Sequence, residues 1–186
     1  MNQDTTTEFS ICLIPDIKTT QSIINIRQSL PSSPFRDDTP HMTLLRLIRS
    51  KLPMSDNELL KDIDKLLSLS KNLPLTATAR RPANGFSPLY KLSSGFLIRV
   101  SPEMKAFRKR AIRVLKQNGY SIGFIGKELF LPHITVRLGI PFTKSTKVMI
   151  KHRFEVEENI TFSKWSVLKV INKDNNRLMK ELSLAD

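Results

Sequence analysis

An α+β fold of two similar lobes is what this sequence predicts, and three observations lead to it. Short runs of period-two hydrophobicity fill the middle of the chain, and three segments of helical period interrupt the strands. The order strand, helix, strand near the N-terminus then recurs from 96 to 138. Two antiparallel sheets facing each other across a central cleft, with helices on the outer faces, satisfy all three. At 186 residues with 40% apolar content and no linker or low-complexity tract, the chain reads as one bilobal domain, 1–186.

The first element is "FSICLIP" (9–15), an apolar run of strand length. Asp16 stands where a helix N-cap belongs, ahead of Ile17, Ile23, Ile24 and Leu30, and the Pro/Ser cluster "LPSSP" ends that helix. A strand follows through 41–48. Ser55 and Glu58 then form a capping box in front of Leu59, Leu60, Ile63, Leu66 and Leu67 at helical spacing. From Leu73 the period shortens to two in "LPLTATARR", "SPLYKL" and "GFLIRV", separated by Gly, Pro and Asn as antiparallel strands are by turns.

Ser101, Pro102 and Glu103 open a third helix that stops at Gly119 and buries Met104, Phe107, Ala111 and Val114 or Leu115. Its other face carries Lys105, Lys109, Arg113 and Lys116, a stripe able to follow a nucleic-acid backbone but more commonly just a solvated face. A strand at 133–140, a basic stretch at 143–153, and two closing strands in "ITFSKWSVLKVI" and "RLMKELSL" complete the chain.

Composition narrows the function. Thirty Lys plus Arg against seventeen Asp plus Glu give +13, a field that attracts polyanions, so nucleic acid is the natural partner. No apolar stretch reaches the ~18 residues of a membrane span, and the N-terminus lacks the pattern of a secretory signal. A cytoplasmic protein is expected. The single cysteine, Cys12, lies in an apolar run with nothing basic beside it, which fits a buried inert thiol better than a nucleophile.

Two of the three histidines share one local pattern. "TPHMTLL" (39–45) and "LPHITVRLG" (131–139) both read Pro-His-apolar-Thr. On a strand, side chains at i and i+2 leave the same face, so His41 sits with Thr43 and His133 with Thr135, while Met42 and Ile134 turn into the core. An imidazole moves a proton near neutral pH, and a neighbouring hydroxyl donates to an anionic oxygen. Two such clusters on facing strands would bracket a phosphate, one imidazole as base, the other as acid, with the threonines on the nonbridging oxygens. That scheme needs no metal or cofactor, and zinc is disfavoured because the chain offers no HExxH or CxxC spacing. His152 has no threonine two residues on and reads as a surface residue.

At these residues the chain resembles the 2H phosphoesterase superfamily, whose name comes from two His-apolar-Thr/Ser motifs, and in particular its bacterial 2'-5' RNA ligase and cyclic phosphodiesterase branch. The separation, 133 − 41 = 92 residues, suits that family, as do the opening strand "SICLIP" and "GFLIRV" followed by a helix. The resemblance implies a bilobal fold with pseudo-twofold symmetry and metal-independent hydrolysis of RNA 2',3'-cyclic phosphates to a 2'-phosphate, with reversible 2'-5' ligation through the same transition state when an RNA 5'-hydroxyl stands in place of water. It implies His41 and His133 as the catalytic pair and Thr43 and Thr135 as substrate contacts. Two alternatives stay open: a phosphodiesterase for 2'-5' oligoadenylates, and a non-catalytic basic RNA-binding module.

Family members often carry arginine five positions after the histidine, which Arg46 satisfies and Arg137, four positions after, does not. Strict alternation nevertheless aims Arg137 into the cleft as a phosphate contact and turns Arg46 away unless a bulge intervenes. Tyr120, Phe124 and Phe130 lie on the approach to the second motif and are candidates to stack a base, although core packing is the commoner role. A monomer is expected.

Overall fold

The computed structural model describes residues 8–33, 39–50, 55–70, 75–84, 93–123, 130–139, 148, 150, 159–170 and 179–183. The strand expected in "SPLYKL", the basic stretch at 143–153 apart from 148 and 150, Phe124 and His152 lie outside them.

Strand β1 (Glu8–Pro15) leads into helix α1 (Ile17–Gln28), whose N-cap Asp16 accepts from the Thr19 amide at 2.7 Å. This satisfies one of the amides a helix start leaves without a partner. Ile23, Ile26 and Leu30 are buried, whereas Ile17 at the first helical position is 88% exposed and takes no part in the core. Strand β2 (Met42–Ser50) carries the first motif. Helix α2 (Asp56–Leu67) opens on the expected capping box, with Ser55 accepting from the Glu58 amide and the Glu58 carboxylate from the Ser55 amide. The Ser55 amide and the Ser55 hydroxyl, both donating to the Glu58 carboxylate at 2.8 Å, hold that carboxyl below its ordinary range.

Strands β3 (Thr76–Asn84) and β4 (Ser93–Val100) pair antiparallel. Helix α3 (Pro102–Gln117) buries Met104, Phe107, Ala111 and Leu115, leaving Val114 partly covered, and ends before Gly119, whose φ of 83° suits a residue without a Cβ. Strand β5 (Tyr120–Ile122), which periodicity does not mark, pairs with the end of β2. Strands β6 (His133–Leu138), β7 (Asn159–Val170) and β8 (Met179–Ser183) complete the description.

The fold is α+β, as expected, but the two expected sheets are hydrogen-bonded into one. Strand order is β1-β2-β6-β4-β3-β7-β8, all neighbours antiparallel, and β1 pairs with β7 as well as β2. Six strands therefore close a ring, with β8 added along β7 and β5 along β2. The halves meet where β2 touches β6, at the pair Met42 and Ile134.

One face of this sheet is the core. Phe9, Ile11, Leu13, Met42, Leu45, Ile48, Phe96, Ile98 and Val100 are buried on it beneath the apolar faces of the helices. Tyr120 belongs here too: its ring meets Phe9 edge-on at 5.8 Å and its hydroxyl donates to Asp62 at 2.7 Å. Burial and that carboxylate push its hydroxyl pKa up. The role open to Tyr120 as a base-stacking ring is thus already taken by packing.

Candidate active site

Met42 and Ile134, the middle residues of the two histidine motifs, are direct cross-strand partners. Both are buried on the core face, so the residues flanking them leave from the other side. An antiparallel register centred on this pair sets His41 across from Thr135 and Thr43 across from His133, with opposed Cβ atoms about 4.5–5.5 Å apart. Two imidazoles and two hydroxyls, 92 residues apart in sequence, form one four-cornered cluster.

Each imidazole is held in the same way. Nδ1 of His41 donates to the Thr39 carbonyl at 2.8 Å, and Nδ1 of His133 to the Leu131 carbonyl at 2.7 Å. A carbonyl only accepts, so both rings in their neutral form carry the proton on Nδ1, and Nε2 is the nitrogen that takes or gives a proton. The intervening prolines, Pro40 and Pro132, keep the chain extended so that the carbonyl two residues back reaches the ring. Pro132 is itself fixed by an Ile98 amide donating to its carbonyl at 2.9 Å.

The environment separates His133 from an ordinary histidine. Its pKa is lowered from 6.5 to about 4, first by burial and then by the charges of His41 and Arg46, against the opposing effect of the Leu131 carbonyl. His133 is neutral at neutral pH. The charge of Arg46 is thus felt at this ring, and partial burial lowers the pKa of its own guanidinium.

Arg46 reaches this face because β2 does not alternate strictly. Opposite β1, Thr43 pairs with Cys12 and Leu45 with Ile11, two positions against one, so Leu44 is an extra residue. The bulge reverses the phase: Leu45 returns to the core face and Arg46 leaves with His41 and Thr43. A second extra residue lies between Leu45 and Ile48.

Strand β6 repeats the device. Opposite β4, Thr135 pairs with Gly95 and Arg137 with Ser94, which makes Val136 the extra residue and moves Arg137 to the face of Ile134 and Phe96. There its Nη1 donates to the carbonyls of Leu30 at 3.2 Å and Pro31 at 2.8 Å, just beyond α1. The expectation from alternation is therefore inverted for both arginines, Arg46 entering the cluster and Arg137 bracing the end of a helix. In each motif the bulge is the third residue after the histidine, and the fifth, Arg46 or Leu138, returns to the front.

A bulge frees a carbonyl from the ladder, and a buried carbonyl without a donor costs about 1–3 kcal/mol. Both are covered by arginine. Arg108 of α3 donates through Nε to the Leu44 carbonyl at 3.1 Å, and Arg27 of α1 through Nε to the Val136 carbonyl at 2.5 Å. These side chains are only 6% and 8% exposed. Sequence reasoning passed over both, although a signal existed: each sits inside its helix's apolar stripe, Arg108 between Met104 and Ala111 and Arg27 between Ile23 and Leu30. The Arg108 guanidinium also lies 4.5 Å over the Phe130 ring, so Phe130 packs against this arginine.

Cys12 is buried, its Sγ 3.7 Å from the Thr43 hydroxyl. Among the described residues no three His, Cys, Asp or Glu side chains gather as metal ligands would, and no helix is long and apolar enough to cross a membrane.

No protein-family model matches the chain, and no curated protein is found similar to it. Solved structures do match. The chain is similar to E. coli LigT in apo form, at 14% identity and a TM-score of 0.55 over 97% of this chain and 95% of that one. It is similar to the same protein complexed with phosphate, at 13% identity and a TM-score of 0.52 over the same shares. A protein described as a phosphoesterase aligns at 12% identity and a TM-score of 0.51, over 97% of this chain and 99% of that one. The ring of antiparallel strands around two histidine motifs is thus built on the fold of E. coli LigT.

Proposed function

We propose that this protein is a 2H phosphoesterase that opens RNA 2',3'-cyclic phosphates to a 2'-phosphate without a metal, and that joins RNA by a 2'-5' linkage when an RNA 5'-hydroxyl replaces water as the nucleophile. The observation that carries the reading is the Met42–Ile134 register, which gathers His41, Thr43, His133 and Thr135 on one face. E. coli LigT, whose fold it shares, is known in complexes with phosphate and with ATP, and phosphoryl ligands suit a cluster of this composition.

The acid and base roles follow from the environment. His133, neutral well below pH 7, takes a proton from the attacking water through Nε2. Water's oxygen bonds to phosphorus as the bond to the 3' oxygen breaks, and His41 gives that oxygen its proton, leaving a 3'-hydroxyl and a 2'-phosphate. Thr43 and Thr135 donate to the nonbridging oxygens, and the Arg46 guanidinium offsets the charge gathering there. Arg46 takes the phosphate role that alternation would give Arg137. In the ligation direction an RNA 5'-hydroxyl stands where water does.

The test is reaction of an RNA ending in a 2',3'-cyclic phosphate, with products resolved by phosphate position, by the wild type and by His41→Ala and His133→Ala. A 2'-phosphate product that survives excess chelator, and a loss of about 10²- to 10⁴-fold or more in each folded variant, is expected. Full activity in either variant removes the mechanism. Faster cleavage of a linear 2'-5' oligomer points to the oligoadenylate alternative, and salt-sensitive RNA binding without product to the binding module.

A further inference from the structure

Both motif strands carry their extra residue at the same place, and both extra residues are held from behind by the Nε of a buried arginine on a helix. A strand can absorb or expel one residue by sliding its register, and a slide of one residue moves every following side chain to the opposite face. Something must therefore hold the count. The ladder itself cannot, because the carbonyl of the extra residue is the group the ladder leaves out.

We propose that Arg108 is a positioning residue for Arg46: by donating its Nε–H to the Leu44 carbonyl it locks the extra residue into β2, and that lock decides that Arg46 leaves the strand on the side of His41 and Thr43. The inference rests on the reading of Arg46 as a phosphate contact only for its catalytic meaning, since the geometry stands without it. Arg108 reaches the motif from the core side, its plane packed on Phe130. It also ties the two motifs together, because Phe130 lies just ahead of the segment that bears His133.

Arg27 is the internal control. It makes the equivalent bond at the equivalent bulge, but the residue its bulge delivers to the front is Leu138. Losing either arginine removes a buried donor of the same kind. Loss of Arg108 alone displaces a charge from the cluster.

The readout is the titration of His133 in the intact protein, followed by NMR, together with the affinity for inorganic phosphate. Arg46 is one of the two charges acting on that ring, so Arg46→Ala raises the His133 pKa. It also weakens phosphate binding roughly tenfold, the scale of one lost charge-assisted bond. Arg108→Met keeps the stem and removes the donor. It is expected to reproduce both changes and to add nothing when combined with Arg46→Ala.

Arg108→Gln keeps an N–H donor at the position of Nε and is expected to hold wild-type values in both measurements. Arg27→Met is expected to lower thermal stability comparably and still show the full effect of a subsequent Arg46→Ala. Should Arg108→Met not fold, Arg108→Lys keeps the charge but moves the donor one bond beyond Nε, and at least half of the Arg46→Ala effect is expected from it.

Wild-type titration in the folded Arg108→Met, or in Arg108→Lys where that variant stands in, overturns the proposal. So does an effect that adds in full to that of Arg46→Ala. A different result marks failure of the functional reading alone: if Arg46→Ala moves the His133 titration and leaves phosphate affinity unchanged, Arg46 lies in the cluster without binding phosphate, and the lock is judged on the titration.

Discussion

In the strand that carries His41, the fifth residue after the histidine is Arg46; in the strand that carries His133, it is Leu138. Much of what surrounds that position is shared: a proline-held entrance, an Nδ1–H given to the carbonyl two residues back, a threonine on the same face, an apolar bulge and an arginine behind it. The halves thus build the same frame and hang a different side chain on its front at this position. The frame fixes where protons and hydroxyls stand, and the variable position decides where the positive charge lies. Position 46 against 138 is where this chain breaks the near-twofold likeness of its two motif strands.

The ring on which that charge acts, His133, is itself shifted in proton affinity, and this gives the largest expected effect. The folded pKa of His133, about 4, lies below the ordinary 6.5, so between these values the unfolded chain binds a proton that the folded chain excludes. The contribution of His133 to stability is constant above pH 6.5 and is lost as the pH drops toward 4. Discounted for a ring that is not fully buried, the loss is on the order of 2 kcal/mol. Thermal unfolding of wild type and His133→Gln at pH 7 and pH 4.5 measures it. Equal losses in the two proteins would mean that His133 titrates normally.

Restoring the symmetry comes next. Leu138→Arg puts a guanidinium at the counterpart of position 46, and phosphate affinity is expected to rise about fivefold, less than a full charge-assisted bond because the leucine's apolar contacts are lost. Calorimetric titration with inorganic phosphate reads it. Unchanged affinity would place Leu138 away from the cluster and limit the likeness of the halves to the histidines and threonines.

The smallest effect belongs to Arg137, whose place in the other half is taken by Leu45. Arg137→Met removes the bonds to the Leu30 and Pro31 carbonyls and is expected to cost about 1 kcal/mol of stability, with kcat and KM for a cyclic phosphate unchanged. A tenfold fall in kcat/KM without loss of stability would return Arg137 to the front of the sheet.

What could be read from the sequence divides along a physical line. His41, Thr43, His133 and Thr135 were legible because each pair lies within two residues, a distance over which strand alternation holds and local pattern suffices. Capping at Asp16, Ser55 and Ser101 was legible for the same reason, since a cap acts on an amide two or three residues away. The places of Arg46 and Arg137 were not, because a bulge at Leu44 or Val136 leaves no mark in residue type. Both are ordinary core residues, and the extra count exists only relative to a partner strand. Arg27 and Arg108 stood in plain view within apolar stripes, but the carbonyls they cover appear only once the strands are paired. Joining of the halves into one sheet was hidden too, because β1 finds β7 more than a hundred residues away.

That last pairing bears on when the protein becomes competent. Glu8 is in register with Val170, so the first described strand waits for a partner made 162 residues later (170 − 8). A nascent chain on the ribosome holds both histidine segments well before it holds the strand that closes the ring, and its exposed edges are open to wrong pairing in that interval.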